Sequence, residues 1–240
     1  MAFNGHAEIV GIFFLSVAII VRNGGNIKLS TILLSCACGA KPIAFIFVPF
    51  ILRLSWKNWL LFFVTLAVIY FPLLYSVQYS EWHTLITFLR HWEYHSTGYL
   101  VLSLIFPGYI SRCVGAILFL AFFGQLLYRH LKNKENVFKN GHILLFVLLF
   151  LSPVANPWYF LWVIPFLPYC KNLGEGLILL MLPLTYIQTD NFLLSIPGQY
   201  LHPLWVNIAG IAFFLMTFLV YYFPKLISVC FNKKYDTTST

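Results

Sequence analysis

The sequence predicts an all-α integral membrane protein, folded as a multi-pass helical bundle with about nine helical segments. Hydrophobic residues make up 60% of its 240 residues, and charged residues make up only 9%. A typical soluble domain carries about 25% charged residues, so a soluble surface built from this chain would be mostly bare hydrocarbon. The mean hydropathy of +0.83 agrees. Both values indicate that water is not the main solvent of this protein.

Charge and cysteine content exclude several other classes. The net charge is +8, but the basic residues punctuate the apolar runs, so nucleic acid is not an expected partner. We expect a transmembrane helical domain over residues 1–224 and a basic, polar cytoplasmic tail over residues 225–240, suited to an anionic membrane surface. Cys36 and Cys38 have no His or acidic neighbours in sequence. No cofactor is therefore predicted, and the sequence contains no pattern that supports a divalent metal site.

Two apolar regions are interrupted by a polar residue and a proline. Leu29–Leu54 is broken at Lys41-Pro42, and His142–Cys170 is broken at Asn156-Pro157. Each half has about 11 to 14 residues, which is short for a crossing of about 20 residues. Each region is therefore either one kinked span or a hairpin of two short helices. The other apolar runs are Ala7–Val21, Trp59–Tyr75, Cys113–Tyr128, Gly176–Gln188 and Leu204–Phe223.

The distribution of basic residues favours the two hairpins. With both hairpins and an outside N-terminus, the Arg129–Lys139 cluster lies in the cytoplasm, and only Arg90 and Arg112 face outside. Single spans would move that cluster outside, against the positive-inside rule. The hairpin topology brings both hairpin tips and three segments to the outer face, namely Met1–Glu8, Ser76–Arg112 and Thr189–Pro203. We expect a polar, aromatic cavity there, with an interfacial helix in Ser80–Tyr99 above it.

Two charges near the outer face are candidates for function. Glu8, at the mouth of the first helix, has two interpretations. It is either an interfacial charge that suits the helix dipole or a functional group that acts with His6 on a cation or a hydroxyl. Lys41 is the only charge between Lys28 and Arg53. A lysine within an apolar membrane segment needs an anion as partner, and this partner is either a phosphate headgroup or an acidic residue of the outer face. The same two partners are open for Arg90. We expect Lys41 to face the protein interior, near Arg90 or such an acid.

The second tip combines an amide with two amphipathic rings. Asn156, Trp158 and Tyr159 stand in the sequence Asn-Pro-Trp-Tyr. One interpretation is an aromatic belt with a proline that starts a helix. The other is a platform for a sugar or a lipid headgroup, because aromatic rings have large apolar faces with polar edges.

The order of these motifs resembles that of a known family. Asn4-Gly5-His6-Ala7-Glu8 precedes an apolar helix, and Gly39-Ala40-Lys41-Pro42 with Phe47–Leu52 follows. Arg90–Ser96 and Ser152–Tyr159 come next. From about Asn4 to Tyr169, this order is similar to that of the integral-membrane glycosyltransferases of the GT-C superfamily, especially the polyprenyl-phosphate-dependent mannosyltransferase-like members.

The resemblance implies an all-helical enzyme that takes a sugar from a lipid-linked donor. The acceptor would be a glycan, a lipid or a protein on the extracytoplasmic face, and membrane lipids would be further partners. Glu8 and His6 are then the catalytic candidates, with Glu8 as the general base. Lys41 and Arg90 would stabilise the departing lipid phosphate. The other expected substrate-binding residues are Asn4, Trp92, Glu93, Asn156, Trp158 and Tyr159.

The chain departs from this family at its beginning. Members usually carry one or two further helices before the Asn-Gly-His motif, joined by an outer loop whose acidic residue lies near the reacting hydroxyl. Met1 stands three residues before Asn4. We therefore expect this loop to be missing, and we expect transfer activity only in an N-terminally extended form. The family acid also tends to be Asp where this chain has Glu8.

The alternative class is a non-enzymatic membrane protein, such as a lipid or polyisoprenoid transporter or a scaffold subunit. Broken helices with charges at their breaks also occur in transporters, although no inverted repeat is visible in the sequence. The sequence contains no Asn-x-Ser/Thr sequon and no retention signal. We therefore expect a bacterial inner membrane rather than an endoplasmic reticulum.

Overall fold

The computed structural model describes residues 8–76, 86–87, 90–94, 97–133, 141–169, 203–213, 215–216 and 219. Within these ranges the chain is mostly helical, and one isolated parallel β-bridge joins Tyr94 to Val154. The all-α prediction is confirmed for this part of the chain. The helices are α1 (Glu8–Asn23), α2 (Ile27–Ala40), the 3₁₀ helix η1 (Pro42–Phe47), α3 (Val48–Leu52), α4 (Trp56–Ser76), α5 (Thr97–Ile105), α6 (Tyr109–Asn133), α7 (Gly141–Leu151), the 3₁₀ helix η2 (Pro157–Tyr169) and α8 (Leu204–Phe213).

The first broken region is a hairpin, as predicted. α2 ends at Ala40 because a residue that precedes proline disfavours helical backbone angles, and Lys41 is extended, with φ −155° and ψ 129°. The chain then returns through η1 and α3. Two contacts fix its direction. Lys41 reaches Glu8 at the start of α1, whereas the Arg22 Nε at the other end of α1 donates a hydrogen bond of 3.2 Å to the Ile51 carbonyl.

The second broken region is also a hairpin. Phe166, near the end of η2, packs directly on Gly141 at the start of α7, and a Cβ at that glycine would overlap its ring. Tyr159, at the start of η2, lies against Lys41. At the far end of η2, the Tyr169 hydroxyl accepts a hydrogen bond of 2.6 Å from the Asn23 side chain. η2 therefore runs in the same direction as α1, from the tip of the first hairpin to its base.

η2 has 13 residues, whereas 3₁₀ helices rarely exceed about four residues. Side chains three residues apart share one face of such a helix, and burial in η2 follows that period. Its most exposed face is Leu161, Ile164 and Leu167, of which Ile164 is exposed and the other two are half-buried, and the buried face beside it is Phe160, Val163 and Phe166. The fully buried Trp162 ring packs on α1 at Gly11, where a Cβ would lie 2.6 Å from a ring atom.

The described helices have two distinct ends. We call the end that holds Glu8, Lys41 and residues 152–156 the tip end. At the opposite end, side chains from three helices form hydrogen bonds with backbone carbonyls in and just after α3. Arg22 Nε binds the carbonyl of Ile51, His130 Nε2 binds that of Phe50 at 3.0 Å, and Trp59 Nε1 binds that of Arg53 at 2.7 Å. We call this the basic end, because the exposed cations of the adjoining segments lie there: Lys28, Arg53, Lys57, Arg129 and Lys132.

α6 connects the two ends. Arg112 lies in its first turn at the tip end, and His130 lies in its last turn at the basic end. The rise of an α-helix places these residues about 27 Å apart, close to the thickness of about 30 Å for a bilayer hydrocarbon core. The cations at the basic end are those that the predicted topology assigns to the cytoplasm. The side of the membrane itself stays a prediction.

One helix in the described part, Tyr109–Lys132, is long and apolar enough to cross a membrane, by length and composition alone. Other apolar helices are shorter, such as Ile27–Ala40 and Gly141–Leu151. Large apolar side chains are exposed on the outer surface, including Ile9 at 72% and Ile20 at 65%. Exposed apolar surface of this kind marks an interaction with lipid or protein. The multi-pass arrangement stays a prediction.

Candidate functional site

A buried ion pair lies at the tip end, between the first turn of α1 and the break after α2. The Glu8 side chain is 1% exposed and its Oε1 binds the Lys41 ammonium, whose side chain is 27% exposed. A buried carboxylate needs such a counter-charge, because an isolated charge in an apolar surrounding is strongly unfavourable. Of the two partners considered for Lys41, the structure contains the outer-face acid. The prediction that Lys41 faces the protein interior is confirmed.

Tyr159 brings the second hairpin to this ion pair. The Lys41 Nζ lies 5.4 Å from the centroid of the Tyr159 ring, within the distance of about 6 Å at which a cation is attracted to an aromatic face. Trp158 packs edge-on against Tyr159, with 6.3 Å between the ring centroids. Of the two aromatic residues expected at this tip, Tyr159 therefore contacts the charged residue expected at the other tip.

Asn156 stands next to this contact. The residue is only 5% exposed, and its backbone carbonyl accepts a hydrogen bond of 2.9 Å from the Tyr159 amide. Its side-chain amide has no hydrogen bond in the described part of the chain. An amide carries two donors and one acceptor, and buried polar groups normally have partners. Asn156 therefore offers unused hydrogen-bonding capacity at the tip end.

The segment of residues 90–94 is hydrogen-bonded to the second tip. The Tyr94 amide donates to the Pro153 carbonyl at 2.9 Å, and the Ala155 amide donates to the Tyr94 carbonyl at 2.7 Å. Arg90 and His91 are helical, but the chain after them is extended through the bridge at Tyr94. The prediction of an interfacial helix in Ser80–Tyr99 is therefore wrong for Glu93 and Tyr94, because backbone pairing with the tip replaces helical hydrogen bonds there.

The candidate residues of this segment have different surroundings. Arg90 is exposed and forms no ion pair within the described ranges, whereas Trp92 is half-buried. The Glu93 carboxylate accepts hydrogen bonds of 3.1 Å from Arg112 and 3.0 Å from the Tyr99 hydroxyl. Asn4 and His6 lie outside the described residues, and so does the predicted tail over residues 225–240.

Sequence reasoning missed Arg112 and Tyr99 as parts of this site. The sequence predicts only that Arg112 lies on the outer face. A cation in the first turn of a helix opposes the helix dipole, and that mismatch was the available signal that Arg112 has a specific acidic partner. Tyr99 carried no signal of its own, since tyrosine is common at membrane interfaces.

The arrangement combines two carboxylates, three cations, an amide and aromatic rings at one end of the helices. Those groups suit a ligand that carries both hydroxyl groups and a negative charge. Among the described residues, no group of three or more His, Cys, Asp or Glu side chains gathers to hold a metal ion.

Comparison with known proteins gives one family match. The family model of the MptB C-terminal domain matches residues 108–188, which include α6, α7 and η2. Neither curated proteins nor solved structures yield a match. MptB is a mannosyltransferase of the GT-C superfamily. The match therefore supports a relation to that superfamily and points to a membrane protein.

Proposed function

We propose that this chain is a multi-pass membrane glycosyltransferase, or the C-terminal part of one. It transfers a sugar, with mannose as the first candidate, from a polyprenyl-phosphate donor to an acceptor on the extracytoplasmic face of a bacterial inner membrane. The observation that carries the proposal is the meeting of both hairpin tips, through Glu8, Lys41 and Tyr159, at the end opposite the basic end. The MptB match over residues 108–188 supports the same class.

In the proposed reaction, a hydroxyl oxygen of the acceptor attacks the anomeric carbon of the sugar. The bond from that carbon to the phosphate oxygen breaks, and the lipid phosphate leaves with the bonding electrons. Glu8 accepts the hydroxyl proton as general base, and cations stabilise the charge on the leaving phosphate. His6 and Asn4 orient the acceptor or the sugar.

The geometry suggests different roles for the two cations. Lys41 is already engaged by Glu8 and by the Tyr159 ring, and only part of its ammonium side chain is exposed. Arg90 is exposed and carries a fork of donors that fits phosphate oxygens. We therefore assign the first contact with the donor phosphate to Arg90. Lys41 pairs with Glu8 and contacts the phosphate at a later stage of the reaction.

The remaining polar and aromatic candidates bind the sugar. The Asn156 amide can donate to one sugar hydroxyl and accept from another. Trp92 and Trp158 offer ring faces to the apolar side of a sugar. Glu93 is engaged with Arg112 and Tyr99, so its contribution is to hold Trp92 in place.

A transfer assay tests this proposal. The purified chain is reconstituted in liposomes with radiolabelled polyprenyl-phosphate mannose and a crude glycan and lipid acceptor fraction. Because the resemblance places a further acid before Asn4, an N-terminally extended form is assayed in parallel. We expect label in the acceptor with the extended form, and we expect Glu8→Gln in that form to lower the rate by about 10²- to 10⁴-fold, the usual contribution of a general base.

Lys28→Gln, which removes an exposed cation at the basic end, is the matched control and should transfer normally. Full activity in Glu8→Gln would assign the base to another residue. Movement of intact donor across the bilayer, without transfer in either form, would favour the lipid transporter instead.

A further inference from the structure

We infer that Arg112 is a positioning residue that holds the second hairpin tip in the conformation that binds the donor. The identity of the ligand rests on the proposed function, whereas the coupling of Arg112 to the second tip is a property of the fold. Arg112 lies in α6, and its guanidinium binds the backbone of Trp92 and the side chain of Glu93.

The Arg112 guanidinium binds two consecutive residues of the 90–94 segment. Its Nη2 donates to the Trp92 carbonyl at 3.1 Å and to the Glu93 carboxylate at 3.1 Å. The guanidinium carbon lies 5.5 Å from the centroid of the Tyr99 ring, and the Tyr99 hydroxyl donates to the same carboxylate oxygen at 3.0 Å. Trp92 and Glu93 are thereby fixed to the first turns of α5 and α6.

The next residue carries this constraint to the second tip. Tyr94 follows Glu93 directly, and its amide and carbonyl pair with Pro153 and Ala155. Asn156 follows Ala155 in the chain, and Tyr159 leads on to Lys41. A continuous path of hydrogen bonds and covalent bonds therefore connects Arg112 to Asn156 and Tyr159, and the contact of the Tyr159 ring with Lys41 extends it to the ion pair.

The constraint can be removed without unfolding the protein. The Arg112 side chain is 12% exposed and that of Glu93 is 39% exposed, so water can reach the carboxylate that Arg112→Gln leaves without its cation. The expected result of Arg112→Gln is a folded protein whose 92–94 segment and second tip open more often. Such local opening is measured by amide hydrogen exchange.

Hydrogen exchange with mass spectrometry on the full chain tests the coupling alone. In Arg112→Gln, exchange in peptides that contain Tyr94 and Ala155 should rise about tenfold, while peptides of α2 stay unchanged. Lys132→Gln is the matched control. It removes a cation that also lies over a tyrosine, Tyr128, but at the other end of α6. Unchanged exchange at Tyr94 and Ala155 would overturn the inference.

A disulfide distinguishes positioning from direct contact. Tyr94 and Val154 are bridge partners, and neighbouring strands lie about 4.8 Å apart, within the Cα separation of about 4.4–6.8 Å that a disulfide needs. In a background without the five native cysteines, Tyr94→Cys with Val154→Cys is added to Arg112→Gln. The affinity for a short-chain polyprenyl-phosphate mannose should fall about tenfold in Arg112→Gln and return when the disulfide forms.

Loss of affinity that persists with the disulfide formed would mean that Arg112 touches the ligand, and it would overturn the positioning role. Failure of the wild-type chain to bind this probe would count against the proposed function instead. The exchange measurement would still support or overturn the coupling by itself.

Discussion

The two hairpins share a plan but stabilise their tips by different means. Each turns at a polar residue followed by proline, and each returns as a 3₁₀ helix, η1 or η2. The first tip is a single extended residue, Lys41, held by a buried charge pair with Glu8. The second tip spans residues 152–156 and is held by uncharged hydrogen bonds to Tyr94 and to the side chain of Ser152.

A hairpin tip that packs inside the protein must therefore satisfy both its backbone groups and its charges. A one-residue tip leaves few backbone groups to satisfy, so it can carry a charge that a single partner balances. A five-residue tip exposes several amides and carbonyls, which cost free energy when they lack partners. It therefore recruits a second backbone segment and carries no charge itself.

The largest expected effect is at the charged tip. Lys41→Met removes the ammonium from a carboxylate that is 1% exposed, and breaking a buried pair from one side costs about 3–5 kcal/mol. We expect the free energy of unfolding to fall by about 3 kcal/mol, because Lys41 is itself partly exposed. Unfolding in mixed micelles, followed by tryptophan fluorescence, measures this.

Lys28→Met at the exposed basic end is the control for this substitution and should change stability by less than about 0.5 kcal/mol. The double variant Glu8→Gln with Lys41→Met should recover at least half of the loss, because no buried charge remains. Equal stability of Lys41→Met and the wild type would show that charge does not hold the first tip.

A smaller effect is expected where the second hairpin docks on α1. Gly11→Ala places a Cβ 2.6 Å from the Trp162 ring, and overpacking a core contact costs about 1–3 kcal/mol. In Gly124→Ala, the new Cβ meets nothing within 4 Å, and alanine is the better helix former by about 1 kcal/mol. The two variants should therefore shift the unfolding midpoint in opposite directions. A stabilised Gly11→Ala protein would exclude this close packing of α1 on η2.

The smallest effect is expected at the uncharged tip. The Ser152 hydroxyl donates to the Val154 carbonyl at 2.8 Å and accepts from the Val154 amide at 3.1 Å. Ser152→Ala should lower stability by about 1 kcal/mol, the net value of a typical hydrogen bond. Ser103→Ala removes an exposed hydroxyl that binds the Leu100 carbonyl and should be nearly neutral. A loss in Ser152→Ala as large as that in Lys41→Met would remove the distinction between the two tips.

The positions of both breaks could be predicted because their causes are local. A residue before proline leaves the helical region, and that rule identifies Lys41 and Asn156 from the sequence alone. The choice of hairpins over kinked spans needed only the distribution of Arg and Lys. The partner of Lys41 could not be chosen, since Glu8 lies 33 residues away and the contact depends on how α1 packs beside α2.

The second tip was less predictable for two physical reasons. η2 contains no charged side chain, so no polar face marks its period or separates a 3₁₀ helix from an α-helix. The contacts of Arg112 with Trp92 and Glu93 depend on the pairing of residues 90–94 with the tip, which alternation of apolar residues does not encode. The roles in substrate binding and catalysis stay predictions, because they concern ligands rather than packing.

The three-residue period of η2 has a consequence for how this part of the gene can change. Each residue of a 3₁₀ helix turns the chain by about 120° and advances it by about 2.0 Å. An insertion or deletion of one or two codons after Trp158 would turn one of the buried faces, either Val163 with Phe166 or Trp162 with Pro165, out of the core and bring Ile164 in. A change of three codons keeps every side chain on its face and only alters the length by about 6 Å. Length variants of this segment that still fold should therefore differ by multiples of three residues.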